Sequence, residues 1–136
     1  MRPIKTILCG ALFLAGSLAA STSLADTANG VTDDQITLGT LQDLSGPLAK
    51  YSQEALNGML MAIDEVNEAG GIHGRELALE VADHGYQPQR AVLAARRMIQ
   101  REHIFAMIQE MGSVTTMATR PILKQHNVLS LFPLSG

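Results

Sequence analysis

The residues best suited to chemistry in this chain are Glu110-Met111-Gly112-Ser113-Val114-Thr115-Thr116, a short polar stretch that follows a continuous apolar run. Gly112 lets backbone come close to a ligand, and Ser113, Thr115 and Thr116 set hydroxyls at the start of a helix. Unpaired N–H groups and a positive partial charge gather there, so the stretch suits a carboxylate. Ser113 capping its own helix accounts for the same residues equally well, and the stretch alone leaves both readings open. Three further segments carry polar or aromatic groups at comparable positions: Leu44-Ser45-Gly46-Pro47 with Tyr51, Asp83-His84-Gly85-Tyr86, and Pro133-Leu134-Ser135-Gly136.

Catalytic readings find little support. No G-x-G-x-x-G follows the first apolar strand, and there is no G-x-x-x-x-G-K-[ST], so nucleotide phosphate has no recognisable cradle. The cluster Gly70-Gly71-Ile72-His73-Gly74 is glycine-rich, but it follows a helical pattern and precedes a strand. That places it at the end of a sheet away from ligands. His73, His84, His103 and His126 are scattered without paired ligand spacing and read as surface histidines rather than a metal site. No serine sits in a G-x-S-x-G turn. The sequence therefore predicts no enzyme, no cofactor and no metal. Of the methionines beyond the leader, most fall on apolar faces, and Met111 alone is placed to touch a ligand.

These segments need a scaffold, and the hydrophobic pattern supplies one. Ile36 to Leu41 is short, β-branched and apolar, as a buried first strand should be. From Ala49 to Ala69, Leu56, Met59, Leu60, Ile63 and Val66 recur at steps of three and four, the period of an amphipathic helix. Gly70 and Gly71 can take the positive φ that closes it. Leu77, Leu79 and Val81 then alternate with Glu76, Ala78, Glu80 and Ala82, the pattern of a strand at a sheet edge. Pro88 suits the first turn of a second helix, which runs to Glu102. Arg90, Arg96, Arg97 and Arg101 spread around it and read as a solvated face rather than an anion site.

Ile104 to Ile108 is uniformly apolar, as a central parallel strand covered on both faces should be. A third helix is expected from Val114 to Gln125, bent at Pro121, with a fourth strand over Val128 to Phe132. Asp26 to Asp34 reads as a loose polar leader to the first strand. Strands alternating with helices predict an α/β fold, a Rossmann-like parallel sheet with helices on both faces. In such a sheet the ligand lies beyond the carboxyl ends of the strands, where all four polar segments fall.

The beginning of the chain reads as an export signal. Arg2 and Lys5 precede the apolar run Ile7 to Leu18, and Ser23-Leu24-Ala25 supplies the small residues at a cleavage site, placed after Ala25. The run is too short to cross a bilayer, which takes about 20 apolar residues. The single cysteine of the 136 residues, Cys9, lies within it, so the remainder holds no disulfide and no thiol nucleophile. With 13 acidic and 10 basic residues, two of the latter in the leader, the exported part is acidic and offers nothing to nucleic acid.

Taken in order, Ile36-Thr37-Leu38-Gly39, Leu44-Ser45-Gly46-Pro47, Ile63-Asp64-Glu65-Val66-Asn67, Gly70 to Arg75, Asp83 with Gly85-Tyr86 and Pro88, and Leu131-Phe132-Pro133 resemble the N-terminal part of a periplasmic substrate-binding protein of the branched-chain amino acid (leucine-binding-like) ABC transporter family. The resemblance runs over residues 34 to 136. It implies a type I periplasmic binding fold with strand order 2-1-3-4 in a partial first lobe, and two lobes closing on a ligand that is handed to a membrane permease.

It also implies roles. Ser113 matches the serine whose hydroxyl and amide take the ligand carboxylate, Met111 and Gly112 match backbone lining the same pocket, and Tyr51 falls where an aromatic stands at the cleft mouth. Ser135 and Gly136 fall where leucine binders have a small residue and a threonine. Glycine at the threonine position argues against leucine and toward other amino acids, amides or aromatic acids. Family members are much longer, so residues 26 to 136 read as the N-terminal portion of lobe 1, with the second lobe absent and too little cleft to hold a ligand tightly. A ligand-sensing module of a regulator or chemoreceptor on the same lobe is the alternative function.

Overall fold

A computed structural model describes residues 28–134. The elements follow the order β1 (Gln35–Gln42), α1 (Ala49–Glu68), β2 (Glu76–Asp83), α2 (Pro88–Gln100), β3 (Ala106–Ile108), α3 (Ser113–Gln125) and β4 (Leu129–Leu131). All four strands are parallel, in the order β2-β1-β3-β4. That is the expected α/β architecture and strand order, with β2 at one edge and β3 inside the sheet.

The faces follow from register. Gly39 pairs with Met107, and Met107 with Ser130, so these share one side of the sheet, while Leu38, Ala106 and Leu129 share the other. A side-chain carbon on Gly39 would meet Ile104, Met98 and Met107, which identifies its side as the one beneath α2. There α2 and α3 pack on each other, and Ala91, Ala95, Met98, Ile99, Ile104, Met107, Ile122, Leu123 and Val128 form the core with Leu41 and Ala82. Met98, Ile104 and Met107 are fully buried, and each contributes about 1.5–3 kcal/mol of transfer free energy. On the opposite side α1 lays Leu56, Met59 and Ile63 over β1 and β2. Its reach ends there, leaving a groove of about 560 Å³ between Met59, Ile63, Ile108 and Leu134. The alternation of sides is what right-handed crossovers require when the chain steps first to one flank of β1 and then to the other.

Local chemistry explains the element ends. Gly70 and Gly71 have φ of 97° and 71°, and the Gly71 amide returns to Val66 O, closing α1. Just before that turn, Asn67 pairs with the Leu77 peptide as another strand would: its amide group donates to Leu77 O at 2.9 Å, and its Oδ1 accepts from Leu77 N at 2.8 Å. Pro88 opens α2, as expected.

Several expectations need correction. Residues 28–34 are tied down: Val31 bridges Ile36, the Glu76 amide donates to Asp34 O, and Arg75 Nε donates to Thr32 O at 2.7 Å. Their polar sequence hid backbone pairing that consumes no apolar side chain. The third strand is shorter than Ile104 to Ile108, and Phe105 is 41 % exposed although its amide still reaches Thr37 O. The apolar run is shared between a strand and the turn that enters it. α3 starts at Ser113 rather than Val114, and it continues through Pro121 to Gln125. Met61 and Met117 are exposed, whereas Met98, Met107 and Met111 are buried. Among the described residues no helix is long and apolar enough to cross a membrane. The leader, with its cleavage after Ala25, lies outside the described residues, as do Ser135 and Gly136.

Candidate functional site

Four loops leave the carboxyl ends of the strands, and short backbone bonds knit them together. The Met111 amide donates to Leu41 O, the Gly112 amide to Leu134 O, and the Leu134 amide to Glu110 O. The isolated bridge between Met111 and Leu134 carries the β3–β4 pairing up to the helix start. The rim of the sheet is thus a rigid ledge on which α3 stands.

At the centre of that ledge Gly112 is the N-cap of α3, with φ 94° and ψ 132°. This left-handed conformation suits glycine, and the close approach demands it: a side-chain carbon there would come within 2.5 Å of Tyr86 Cε2 and 3.0 Å of Thr115 Oγ1. Ser113 follows as the first helical residue, and the Thr116 amide closes the first turn on Gly112 O. The first amides of a helix have no acceptor within it, and here they sit at the carboxyl edge of the sheet. The Thr115 hydroxyl, expected to face a ligand, instead turns inward to Met111 O at 2.6 Å and Gly112 O at 2.9 Å.

Met111 is buried, and both of its backbone groups are engaged within the protein, the carbonyl by Thr115 Oγ1 and by His84 Nε2 at 3.1 Å. Met111, Gly112 and Ser113 come together as one turn. Tyr51 stands in the first turn of α1, 64 % exposed, and no hydrogen bond joins it to that turn among the described residues. Beside Ser113, a depression of about 380 Å³ is lined by Thr116, Met117, Arg120, Ser130 and Pro133. Met117, which the sequence did not mark, faces it.

Three residues that support the ledge were not legible as such. His84 is fully buried, against the expectation of a surface histidine, because its ring is stitched to Met111 O and to the Tyr86 amide. Burial holds its imidazole below the ordinary range, against the raising influence of Asp43, the bond to Met111 and Asp83. Asp83 ties two loops together: Oδ1 accepts from the Leu44 and Gly85 amides at 2.9 Å each, and Oδ2 from Ser45 Oγ at 2.6 Å. Arg90 lies 3.6 Å away. Desolvation pushes this carboxyl up, but the bonds from Ser45, Gly85 and Leu44, with the Arg90 charge, carry it below its usual value.

Glu110, 1 % exposed, accepts hydroxyl bonds from Thr119 and Ser130 and so pins α3 to β4. Its desolvation outweighs those two bonds and raises its carboxyl above the ordinary range. The signal for all three was weak, since a polar residue in a loop reads as solvated unless its partners are known. Arg90 and Arg97 are exposed and paired with Asp83 and Glu102, as a solvated face implies. No cluster of three or more metal-ligating side chains occurs among the described residues.

The comparisons with known proteins agree with this arrangement. The Leu/Ile/Val-binding protein BraC3 of Rhizobium johnstonii is 32% identical over 120 residues, covering 88% of this chain and 31% of its own. The Leucine-, isoleucine-, valine-, threonine-, and alanine-binding protein of Pseudomonas aeruginosa is 28% identical over 122 residues, 90% of this chain and 31% of the relative. The chain therefore spans about a third of the length of these curated relatives.

Among solved structures, the branched-chain amino acid transporter substrate-binding protein LivJ of Streptococcus pneumoniae, in complex with isoleucine, superimposes with a TM-score of 0.71 at 24% identity, over 75% of this chain and 29% of that one. A fatty acid ABC transporter substrate-binding protein of Thermomonospora curvata gives 0.69 at 29% identity, over 81% and 27%. The family model described as "Periplasmic binding protein" matches residues 35–136, the whole of the sheet and its loops, and the chain belongs to that family.

Proposed function

We propose that residues 26–136 are the N-terminal portion of the first lobe of an extracytoplasmic solute-binding component of an ABC transporter, delivered to the periplasm by a leader removed after Ala25. The component captures an amino acid or a related small carboxylate and passes it to a membrane permease. The observation that carries this reading is the Met111-Gly112-Ser113 turn, which sets a serine hydroxyl and first-turn amides at the carboxyl edge of a parallel sheet. In this reading Ser113 binds the carboxylate, Gly112 allows close approach, Met111 lines the pocket, Tyr51 stands at the mouth, and Ser135 is a further ligand-binding residue. Relatives named for leucine, isoleucine and valine, and one for fatty acid, share the carboxylate while differing in the rest of the ligand. That fits a cradle for the acid on this lobe.

The test is a thermal-shift screen of the two-lobed polypeptide carrying this sequence against amino acids, their amides and aromatic acids, with Ser113→Ala beside it. A shift that Ser113→Ala abolishes is expected; shifts equal in the two proteins would remove Ser113 from the site. Residues 26–136 alone should show no micromolar binding by calorimetry, because half a cleft leaves the ligand in water.

A further inference from the structure

We infer that His84 is a positioning residue for the ligand cradle, holding the Met111-Gly112-Ser113 turn and the Tyr86 ring in one fixed arrangement. The inference rests on the reading of that turn as the carboxylate site. His84 joins the end of β1 to the loops after β2 and β3. Its backbone amide donates at 2.9 Å to O of Gln42, the last residue of β1. Its Nδ1 accepts the Tyr86 amide at 3.0 Å, and its Nε2 lies 3.1 Å from Met111 O after β3.

These contacts fix the tautomer. An Nδ1 that accepts an N–H carries no proton, so the ring hydrogen sits on Nε2 and donates to the Met111 carbonyl. Neutral His84 satisfies both partners at once. A proton on Nδ1 sets two N–H groups against each other and drives Tyr86 off Gly112, which its ring covers. The charged groups acting on the ring are Asp43 after β1 and Asp83, the last residue of β2. Glu110 of the third loop turns its carboxylate to Thr119 and Ser130.

The test is ligand-free nitrogen-edited NMR of the 136-residue chain as pH falls. His84 should show the Nε2–H tautomer and titrate below the ordinary imidazole value, as its burial requires. The Tyr86 and Gly112 amide signals should follow the His84 curve. An Nδ1–H tautomer, or a Gly112 signal that ignores His84, overturns the inference.

Two variants separate the bonds. His84→Asn keeps an acceptor near Nδ1 but cannot reach Met111, so exchange of the Met111 and Gly112 amides, bonded to Leu41 O and Leu134 O, should rise about tenfold, the size of one lost hydrogen bond. His84→Gln keeps a donor near Nε2 and should leave those amides protected while Tyr86 exchanges faster. Equal exchange in both variants would make the role merely structural. Because no ligand enters these measurements, failure to find one in the thermal-shift screen sinks the proposed function without touching this result.

Discussion

The Tyr86 ring lies so close to the α-carbon of Gly112 that a methyl group there would stand 2.5 Å from Tyr86 Cε2. A residue from the loop after β2 thus limits what can occupy the N-cap of the helix after β3. Gly112→Ala combines this clash with a φ of 94°, and it should cost about 2–4 kcal/mol in urea denaturation. Adding Tyr86→Ala should recover the steric part and leave the conformational part. Full recovery would show that φ imposes no penalty here.

Asp83→Asn should loosen the loop after β1. The Leu44 and Gly85 amides can still donate to an amide oxygen, but the charge that strengthens those bonds is gone, at a cost of about 1–2 kcal/mol at neutral pH. The carboxyl is held below its ordinary value of 3.8, so its contribution is complete above that pH and disappears as pH falls through the lower folded value. Urea midpoints against pH should therefore lose part of their acid limb in Asp83→Asn. An unchanged acid limb would mean that the carboxylate does not anchor the loop.

Glu110 works in the opposite direction. Its folded carboxyl sits above the ordinary 4.5, so the native state holds the proton more tightly than the unfolded chain. Stability from this residue is complete below that value and declines as pH rises through the raised folded one. Glu110→Gln keeps a hydroxyl acceptor for Thr119 or Ser130 without the charge, and should flatten this decline and leave neutral-pH stability within about 1 kcal/mol. Glu110→Ala removes both bonds, leaving Thr119 with Thr116 O alone and the Ser130 hydroxyl to solvent, and should be worse by about 1–2 kcal/mol. Parallel pH profiles for wild type and Glu110→Gln would contradict this account.

Asn67→Asp tests the side-chain fork on β2. Aspartate keeps an acceptor for the Leu77 amide but faces Leu77 O with a second oxygen where a donor is needed, so about 1–3 kcal/mol should be lost, more than for Asn67→Ala. Chemical denaturation of the pair, together with exchange at the Leu77 amide, checks the order.

The leader makes a separate prediction. Expressed in a Gram-negative host, the protein should be recovered from the periplasm with Asp26 as its first residue, as N-terminal sequencing would show. An intact Met1 in that fraction would argue for a retained anchor.

Most of the scaffold was legible because hydrophobic period, glycine turns and Pro88 act locally. Leu77, Leu79 and Val81 declare a strand whatever surrounds them, and Gly70-Gly71 declare a helix end. The loop carrying Met111, Gly112 and Ser113 could also be found, since a helix start after an apolar run is a local event. The partners were hidden. Nothing near His84 in sequence announces Met111 O, 27 residues away, and nothing near Glu110 announces Ser130. Burial of such polar groups is decided by contacts that only the fold brings together, so Thr115 and His84 were read as more solvent-facing than they are, and residues 28–34 as looser.

The Asn67 fork has one more consequence. By occupying the outward-facing peptide of Leu77 it stoppers one flank of the sheet, while β4, with Leu129 60 % exposed, leaves the other flank ready to pair. A strand added at the start of β2 would have to displace the Asn67 side chain, whereas the outer edge of Leu129–Leu131 carries no such side-chain cap among the described residues.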